Sequence, residues 1–306
     1  MNAPKISVII PLYNAEKFIR QTLISVLANK FADYEVIVVD DCSTDNSVAE
    51  VEKLIPHFES RLKIFHTEKN SGGAGVPRNI GIEHAAGKYV TFLDADDFLL
   101  PTALADFFNV AEKFQADAVH TEKIFIFKDT GNADFKREDL TLKKFENGAP
   151  VEVPTLEPDD LREKLQRCLE GKFLWMIGGK FYRRDFLRDN RIIFSDMPFA
   201  EDFIFCFKSL CLAKKYLRVP AVTNIYRMNN QSASKRFLTA ENGVKMWLSF
   251  ITENMGRIFE FLNEREDFRH SSELQYLTAK FIVETHFKFI ENLFICTTAR
   301  CAENFL

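Results

Sequence analysis

Short apolar runs alternate with segments of helical periodicity over the first 127 residues of the chain. The apolar runs have the length and the β-branched content of buried strands; they lie at residues 5–11, 34–39, 62–66, 89–93 and 118–127. The intervening segments space their apolar side chains as helices do; they are residues 15–29, 48–58, 78–86 and the segment that begins at Pro101. Such alternation with short connections predicts an α/β fold with a mostly parallel sheet and helices on both faces.

The pattern after residue 128 is less regular. Polar residues with scattered Gly and Pro over 129–158 predict an excursion or flap. We then expect helices over residues 159–170 and 201–214. One strand is expected to end near residue 182 and another to cover 219–226, the latter at a sheet edge if it includes Pro220. From about residue 239 the pattern is helical to the end. We therefore expect a first domain over residues 1–235 and a C-terminal helical region over 236–306.

Composition narrows the class of protein. The 306 residues are 46% hydrophobic and carry a formal net charge of −4, which is ordinary for a globular protein and a poor basis for nucleic-acid binding. The six cysteines form no Cys-x-x-Cys pair, which disfavours zinc ribbons and thioredoxin-type redox sites. Neither a signal peptide nor a run of about 18 apolar residues is found, so we expect a cytoplasmic protein without a membrane span.

Acidic residues follow two of the predicted strands. Asp40 and Asp41 come after the second strand, and Asp94, Asp96 and Asp97 come after the fourth. The carboxyl ends of parallel strands share one rim, which is where such sheets bind ligands. Two carboxylates about 4 Å apart repel by roughly 4 kcal/mol at an effective dielectric of 20, and a divalent cation would relieve this repulsion. Helix capping is the alternative for both groups, and the first group could instead accept the N–H of a nucleotide base.

Two further segments carry candidate chemistry. Arg78 follows a Gly-rich stretch and is either a phosphate ligand or an ordinary surface arginine. Glu201 and Asp202 open a predicted helix in an apolar setting. A partly desolvated carboxylate there can have a raised pKa and act as a general base, whereas acids that complement the helix dipole are the alternative.

Aromatic residues near these segments have two interpretations. Trp175 and the pair Tyr226-Arg227 are candidates for a substrate platform, although core packing is the default for the tryptophan. His120 lies within a predicted strand without a second His or Cys at metal-ligand spacing, so we expect a structural histidine.

Four motifs in one order resemble family 2 glycosyltransferases of the GT-A fold. They are Ser7-Val8-Ile9-Ile10-Pro11-Leu12-Tyr13-Asn14, Val38-Val39-Asp40-Asp41-Cys42-Ser43-Thr44-Asp45, Asn79-Ile80-Gly81-Ile82 and Tyr89-Val90-Thr91-Phe92-Leu93-Asp94-Ala95-Asp96-Asp97. The resemblance is strong over residues 5–128 and continues more loosely through 180–184, 201–202 and 226–232. Pro77 stands where the family often has Ala.

This resemblance implies a GT-A domain over residues 1–235, with a Rossmann-like, mostly parallel sheet, and a C-terminal helical extension. The implied activity is an inverting transfer of a sugar from a UDP-sugar to a saccharide or lipid-linked acceptor, in bacterial surface polysaccharide or glycoconjugate synthesis. The alternative on the same fold is a non-catalytic module that binds a nucleotide-sugar or a carbohydrate. A phosphohydrolase is disfavoured because its Asp-x-Asp motif normally follows the first strand, not the fourth.

The resemblance also implies roles for individual residues. Asp202 corresponds to the general base, and Asp96 to the ligand of a Mn²⁺ or Mg²⁺ ion on the diphosphate. The implied nucleotide-sugar site consists of Pro11, Tyr13, Asp41, Asn70, Arg78, Asp94 and Asp96. Within it the first two residues line the base pocket, Asp41 accepts the uracil N–H, and Asp94 faces the ribose.

The C-terminal region has several candidate roles. Phe287, Lys288, Phe289 and Phe294 suggest an amphipathic face. Such a face could serve as a lid, as a homo-oligomer surface or as a peripheral contact with the inner face of the membrane, and plain packing onto the first domain is the alternative.

Overall fold

The computed structural model describes residues 3–128, 140–144, 151–173, 175–198, 200–228 and 243–297. The strands are β1 (Ile6–Leu12), β2 (Tyr34–Asp40), β3 (Leu62–His66), β4 (Tyr89–Phe92), β5 (Phe98–Leu99), β6 (Ala118–Lys128), β7 (Leu140–Lys144), β8 (Thr155–Leu156), β9 (Lys180–Arg183) and β10 (Tyr216–Met228). The α-helices are α1 (Ile19–Leu27), α2 (Ser47–Glu52), α3 (Gly75–His84), α4 (Ala103–Phe114), α5 (Leu161–Leu169), α6 (Arg184–Asp189), α7 (Glu201–Leu212), α8 (Gly243–Asn263), α9 (Glu266–Arg269) and α10 (Ser272–Thr297).

The described strands form one sheet in the order β3-β2-β1-β4-β9-β6-β10-β5, with β7 beside β6 and β8 beside β10. Strands β3, β2, β1 and β4 are mutually parallel, as are β6 and β10. Strand β9 runs antiparallel between β4 and β6. The predicted α/β fold is confirmed. Of the strands that run antiparallel to the rest, β5 has only two residues, and β7, β8 and β9 follow residue 128, where the sequence pattern is irregular.

The central strands are apolar on both sides because helices cover both faces of the sheet. Every residue of β2 and β4 is buried, and so is every residue of β1 except Pro11. Helix α3 can approach β1 closely because position 81 is glycine: a Cβ there would lie 2.3 Å from Cγ2 of Ile9. This close packing fixes the position of α3, which carries one of the site residues.

Several local predictions were wrong. The single helix expected over 48–58 is instead α2 followed by a 3₁₀ turn, Ile55–Phe58, since Pro56 cannot continue the α-helical hydrogen bonding. Strand β10 begins at Tyr216 and pairs on both sides, so it is not an edge strand. Pro220 is accommodated by a register shift between Val219 and Val222. Helix α6 was not predicted.

The chain divides into two compact units. The first combines Met1–Asp159 with Trp175–Asn229 and contains every described strand, and the second combines Asp160–Leu174 with Asn230–Leu306. Helix α5 therefore groups with the C-terminal helices, and its Arg162 pairs with Glu273 of α10 at 2.5 Å. The residues of α5 lie within the range predicted for the first domain. Of the predicted excursion, residues 129–139 and 145–150 lie outside the described residues. Among the described helices, none combines the length and the hydropathy needed to cross a membrane.

Candidate active site

The two acidic groups meet at one rim of the sheet. Leu12 at the end of β1 is in register with Asp40 at the end of β2, and the backbone N–H of Asp41 donates to the Leu12 carbonyl at 2.8 Å. On the other side of β1, the N–H of Leu93 donates to the carbonyl of Ile9 at 3.0 Å, directly before the second acidic group. The prediction that both groups lie at the same rim is confirmed.

Asp41 is buried and organises the loop that follows β3. Its carboxylate accepts hydrogen bonds from the Thr67 hydroxyl at 2.8 Å and from the backbone N–H of Ser71 at 3.0 Å. The Asn70 side-chain amide donates to the Asp41 carbonyl at 2.9 Å. Asp41 therefore does not cap the next helix, and Asn70 holds this loop against the end of β2. Nearby, at the end of β1, the side chain of Tyr13 is exposed.

Arg78 lies at the centre of a carboxylate cluster. Its guanidinium donates to Asp94 Oδ1 at 2.8 Å, to Glu201 Oε1 at 2.8 Å and to Asp202 Oδ1 at 2.6 Å. Arg78 is 3% exposed, so its interpretation as an ordinary surface arginine is wrong. Burial alone would lower the pKa of Arg78, but the three carboxylates raise it above its usual value. The cluster thus contains a permanently charged cation.

Two features of α3 bring this cluster together across more than 120 residues of sequence. The Asn79 side chain accepts from the backbone N–H of Phe194 at 2.8 Å and donates to its carbonyl at 2.9 Å. Gly75 allows close contact, because a Cβ at that position would lie 2.3 Å from the carbonyl oxygen of Ser195. The helix is thereby tied to the segment that leads into α7, and Arg78 faces the first turn of that helix.

Asp202 has the environment of a general base. Its Oδ1 pairs with Arg78, and its Oδ2 accepts a hydrogen bond from the backbone N–H of Ile177 at 3.0 Å. Burial, with Glu201 and Asp94 nearby, raises the pKa of Asp202 to about 7, although Arg78 acts in the opposite direction. A carboxylate that titrates near neutral pH can accept a proton during a reaction and release it afterwards.

The three aspartates after β4 have separate partners. Asp94 pairs with Arg78, and the buried Asp97 accepts from the backbone N–H of Arg227 at 2.9 Å. The Arg227 guanidinium donates to the Asp96 carbonyl at 2.8 Å. Burial and the neighbouring aspartates raise the pKa of Asp97 well above its usual value. Arg78, 16 residues before Asp94, and Arg227, 130 residues after Asp97, therefore place positive charge beside these aspartates, which the sequence alone assigned to a metal ion.

The metal prediction concerns Asp96, which is partly buried. Nowhere in the described ranges do three His, Cys, Asp or Glu side chains come together as a ready-made metal site. Mg²⁺ and similar ions, however, are commonly held by one or two carboxylates together with substrate phosphates and water. The donor set at this rim fits that mode of binding, and the metal site remains a prediction.

The remaining candidates lie in packed surroundings. The ring of Trp175 packs against Phe203 at 4.8 Å and is partly exposed. Tyr226 lies within β10 and is also partly buried. His120 is buried with Nδ1 3.4 Å from the Tyr216 hydroxyl, and burial lowers its pKa well below the usual value, as expected for a structural histidine.

Comparison with protein families decides the relationship. The family model described as Glycosyl transferase family 2 matches residues 7–190, more than half of the chain. The chain belongs to glycosyl transferase family 2. The earlier resemblance is confirmed, and family membership argues against the phosphohydrolase alternative.

Curated relatives of this family 2 chain are named as glycosyltransferases. One is the poly(ribitol-phosphate) β-N-acetylglucosaminyltransferase TarS of Staphylococcus aureus (strain MW2), 32% identical over 215 residues, which are 69% of this chain and 33% of that protein. Another is the uncharacterized glycosyltransferase EpsJ of Bacillus subtilis (strain 168), 28% identical over 233 residues, or 76% of this chain and 63% of that protein. The chain thus spans between a third and two thirds of the length of these relatives.

Solved structures agree on the fold. A crystal structure of S. aureus TarS matches with a TM-score of 0.58 and 25% identity, covering 81% of this chain and 43% of that one. The structure of S. aureus TarS 1-349 in complex with UDP-GlcNAc matches with a TM-score of 0.59 and 23% identity, covering 96% of this chain and 91% of that one. The family 2 chain therefore shares the TarS glycosyltransferase fold.

Proposed function

We propose that this family 2 chain transfers a sugar from a UDP-sugar to an acceptor hydroxyl, with inversion at the anomeric carbon. The observation that carries the proposal is the position of Asp202, a carboxylate with a pKa of about 7 beside Arg78 at the ligand-binding rim. The relatives support it, since TarS is named as an N-acetylglucosaminyltransferase and a TarS structure contains UDP-GlcNAc.

The chemistry needs one base and positive charge on the leaving group. Asp202 takes the proton of the acceptor hydroxyl while the hydroxyl oxygen forms a bond to the anomeric carbon of the donor. The bond from that carbon to the UDP oxygen breaks on the opposite face, and UDP leaves with the electron pair. Arg78 is already paired with Asp202 in the described structure, so an incoming diphosphate competes for the same guanidinium. A Mn²⁺ or Mg²⁺ ion held by Asp96 would supply further positive charge to the diphosphate.

The uridine end of the donor is assigned to the opposite part of the rim. Asp41 accepts the uracil N–H, and Pro11 and Tyr13 line the base pocket at the end of β1. Asn70 contributes by holding the loop after β3 against the Asp41 carbonyl. The exposed ring of Tyr13 is available to stack on a planar base.

The acceptor is proposed to be a saccharide or lipid-linked precursor of a bacterial surface polymer, handled on the cytoplasmic side of the membrane. Helix α10 exposes Tyr276, Val283 and Phe287, which provides apolar surface for membrane contact or self-association. The side chains of Phe289 and Phe294 lie outside the described residues. Pelleting with anionic liposomes at low and high salt tests the membrane contact, and no pelleting in either condition rules it out.

Donor binding and turnover test the main proposal. Thermal-shift measurements with a panel of UDP-sugars and Mn²⁺ should single out one donor, because a ligand that binds only the folded state raises apparent stability. Asp202→Asn should keep UDP affinity while transfer falls steeply. A protein that binds UDP-sugars and transfers equally well with and without the Asp202 carboxylate would contradict the assignment of the base. One that binds but never turns over would support the non-catalytic alternative.

A further inference from the structure

Lys180, the first residue of β9, is a buried lysine that the proposed chemistry does not use. It is 1% exposed, and its Nζ donates a hydrogen bond to the backbone carbonyl of Met176. No carboxylate in the described part of the chain forms an ion pair with it. Burying an amine without a direct ion pair is unfavourable, so its presence calls for a functional explanation.

The carbonyl that Lys180 holds belongs to the peptide that contacts the base. The Met176 C=O and the Ile177 N–H are the two ends of one peptide group. The N–H end donates to Asp202 Oδ2 at 3.0 Å. Lys180 therefore fixes one end of a planar unit whose other end binds the Asp202 carboxylate. A donor on the carbonyl oxygen also polarises the amide and strengthens its N–H as a donor.

We propose that Lys180 is a positioning residue for the transfer reaction. Acting through the Met176–Ile177 peptide, it orients the Asp202 carboxylate and favours its ionised form. Oδ2 is then held by the backbone, and Oδ1 is the oxygen that Arg78 contacts and that takes the acceptor proton. This inference rests on the proposed function, because it gives a second residue a role in the same site.

Other ionisable groups lie close to Asp202 and Lys180. The groups that face Asp202 or Lys180 from the neighbouring elements are Arg78, Asp94, Glu201, Cys206, Tyr182 and His120. Burial raises the pKa of the Cys206 thiol to about 11, raises that of Tyr182 and lowers that of His120, so these three are neutral near pH 7. Burial also lowers the pKa of Lys180, whereas the nearby Asp202 acts against this shift.

The test replaces the amine without changing the volume of the side chain. Lys180→Met should fold, because it keeps the volume of the side chain and removes a buried amine, although the hydrogen bond to the Met176 carbonyl is lost. Lys164→Met, at a second buried lysine, located in α5, is the matched control. Turnover is followed as UDP release, with water as acceptor, from the UDP-sugar that stabilises the wild-type protein most.

We expect kcat of Lys180→Met to fall by at least about tenfold. The acid limb of kcat/KM should move up by about one pH unit, while the Kd for UDP stays within about twofold of wild type. Lys164→Met should behave as wild type, and Lys180→Arg should return the acid limb towards its original position. An unchanged acid limb, or a loss of UDP affinity in parallel with kcat, would overturn the proposal. Lys180→Gln repeats the test if the Met variant does not fold.

A second measurement does not depend on turnover. In ¹⁵N-isoleucine-labelled protein, the Ile177 amide proton should resonate downfield because it binds a carboxylate, and should move upfield in both Asp202→Asn and Lys180→Met. An Ile177 resonance unmoved by Lys180→Met overturns the positioning role. If wild-type protein releases UDP from no UDP-sugar, the proposed function fails, and the amide measurement still decides whether Lys180 acts on Asp202.

Discussion

The pH dependence of turnover follows directly from the environment of Asp202. Its pKa is raised to about 7 by burial and by two nearby acids, compared with about 3.9 for an ordinary aspartate. A base must be ionised to accept a proton, so activity should rise with pH through this pKa. At pH 6 only about one eleventh of a group with a pKa of 7 is ionised, so kcat/KM should be about tenfold below its plateau.

The two kinetic parameters should report different states of the cluster. The profile of kcat/KM reports the free protein, in which Arg78 pairs with Asp202 at 2.6 Å. The profile of kcat reports the donor complex, in which the diphosphate competes for Arg78 and adds negative charge. Both changes favour protonation of Asp202, so the midpoint of kcat should lie at the same pH as that of kcat/KM or higher.

The assay is UDP release between pH 5 and 9 at saturating Mn²⁺. Asp202→Asn should lower kcat by about 10²- to 10⁴-fold and abolish the acid limb, with UDP binding retained or tightened because Arg78 loses one competing anion. His66→Gln is the control, because His66 Nδ1 lies 3.3 Å from Asp40 at the same rim and the substitution leaves Asp202 and its partners in place. An acid limb centred near pH 4, or one that disappears in His66→Gln, would refute the reasoning.

Three further outcomes are expected. Asp97→Asn should raise the Tm more at pH 8 than at pH 5. The pKa of Asp97 is higher in the folded than in the unfolded protein, so the ionised carboxylate destabilises the fold increasingly as the pH rises above the ordinary pKa of aspartate. Equal changes of Tm at both pH values would contradict this. Gly75→Ala should lower the free energy of unfolding by about 1–3 kcal/mol in chemical denaturation, because the new Cβ would lie 2.3 Å from a carbonyl oxygen. The control, Gly256→Ala, should be neutral or stabilising, because a Cβ at position 256 meets no atom within 4 Å. EDTA should abolish turnover. Mn²⁺ or Mg²⁺ should restore turnover in the wild-type protein but not in Asp96→Asn, and full metal-dependent turnover in that variant would show that Asp96 is not the metal ligand.

The sequence was sufficient for the parts of the fold that depend on local pattern. The apolar runs of β1 to β4 identified a parallel sheet, and the acidic residues that follow β2 and β4 had to share a rim because parallel strands end on the same side. The two acids in an apolar setting at the start of α7 likewise indicated a desolvated carboxylate. Spacing along one strand or one helix turn carries this information.

Only the tertiary structure decided how the charges of the site are arranged. Arg78 reaches Glu201 and Asp202 across 123 and 124 residues, and Arg227 reaches the aspartates after β4 across 130 residues. The peptide that links Lys180 to Asp202 has no sequence signature at all. Whether a charged side chain is solvated or buried, and which partner it meets, depends on elements that pack against it from distant parts of the chain. Periodicity therefore predicted where the carboxylates lie, and packing alone determined their partners and their pKa values.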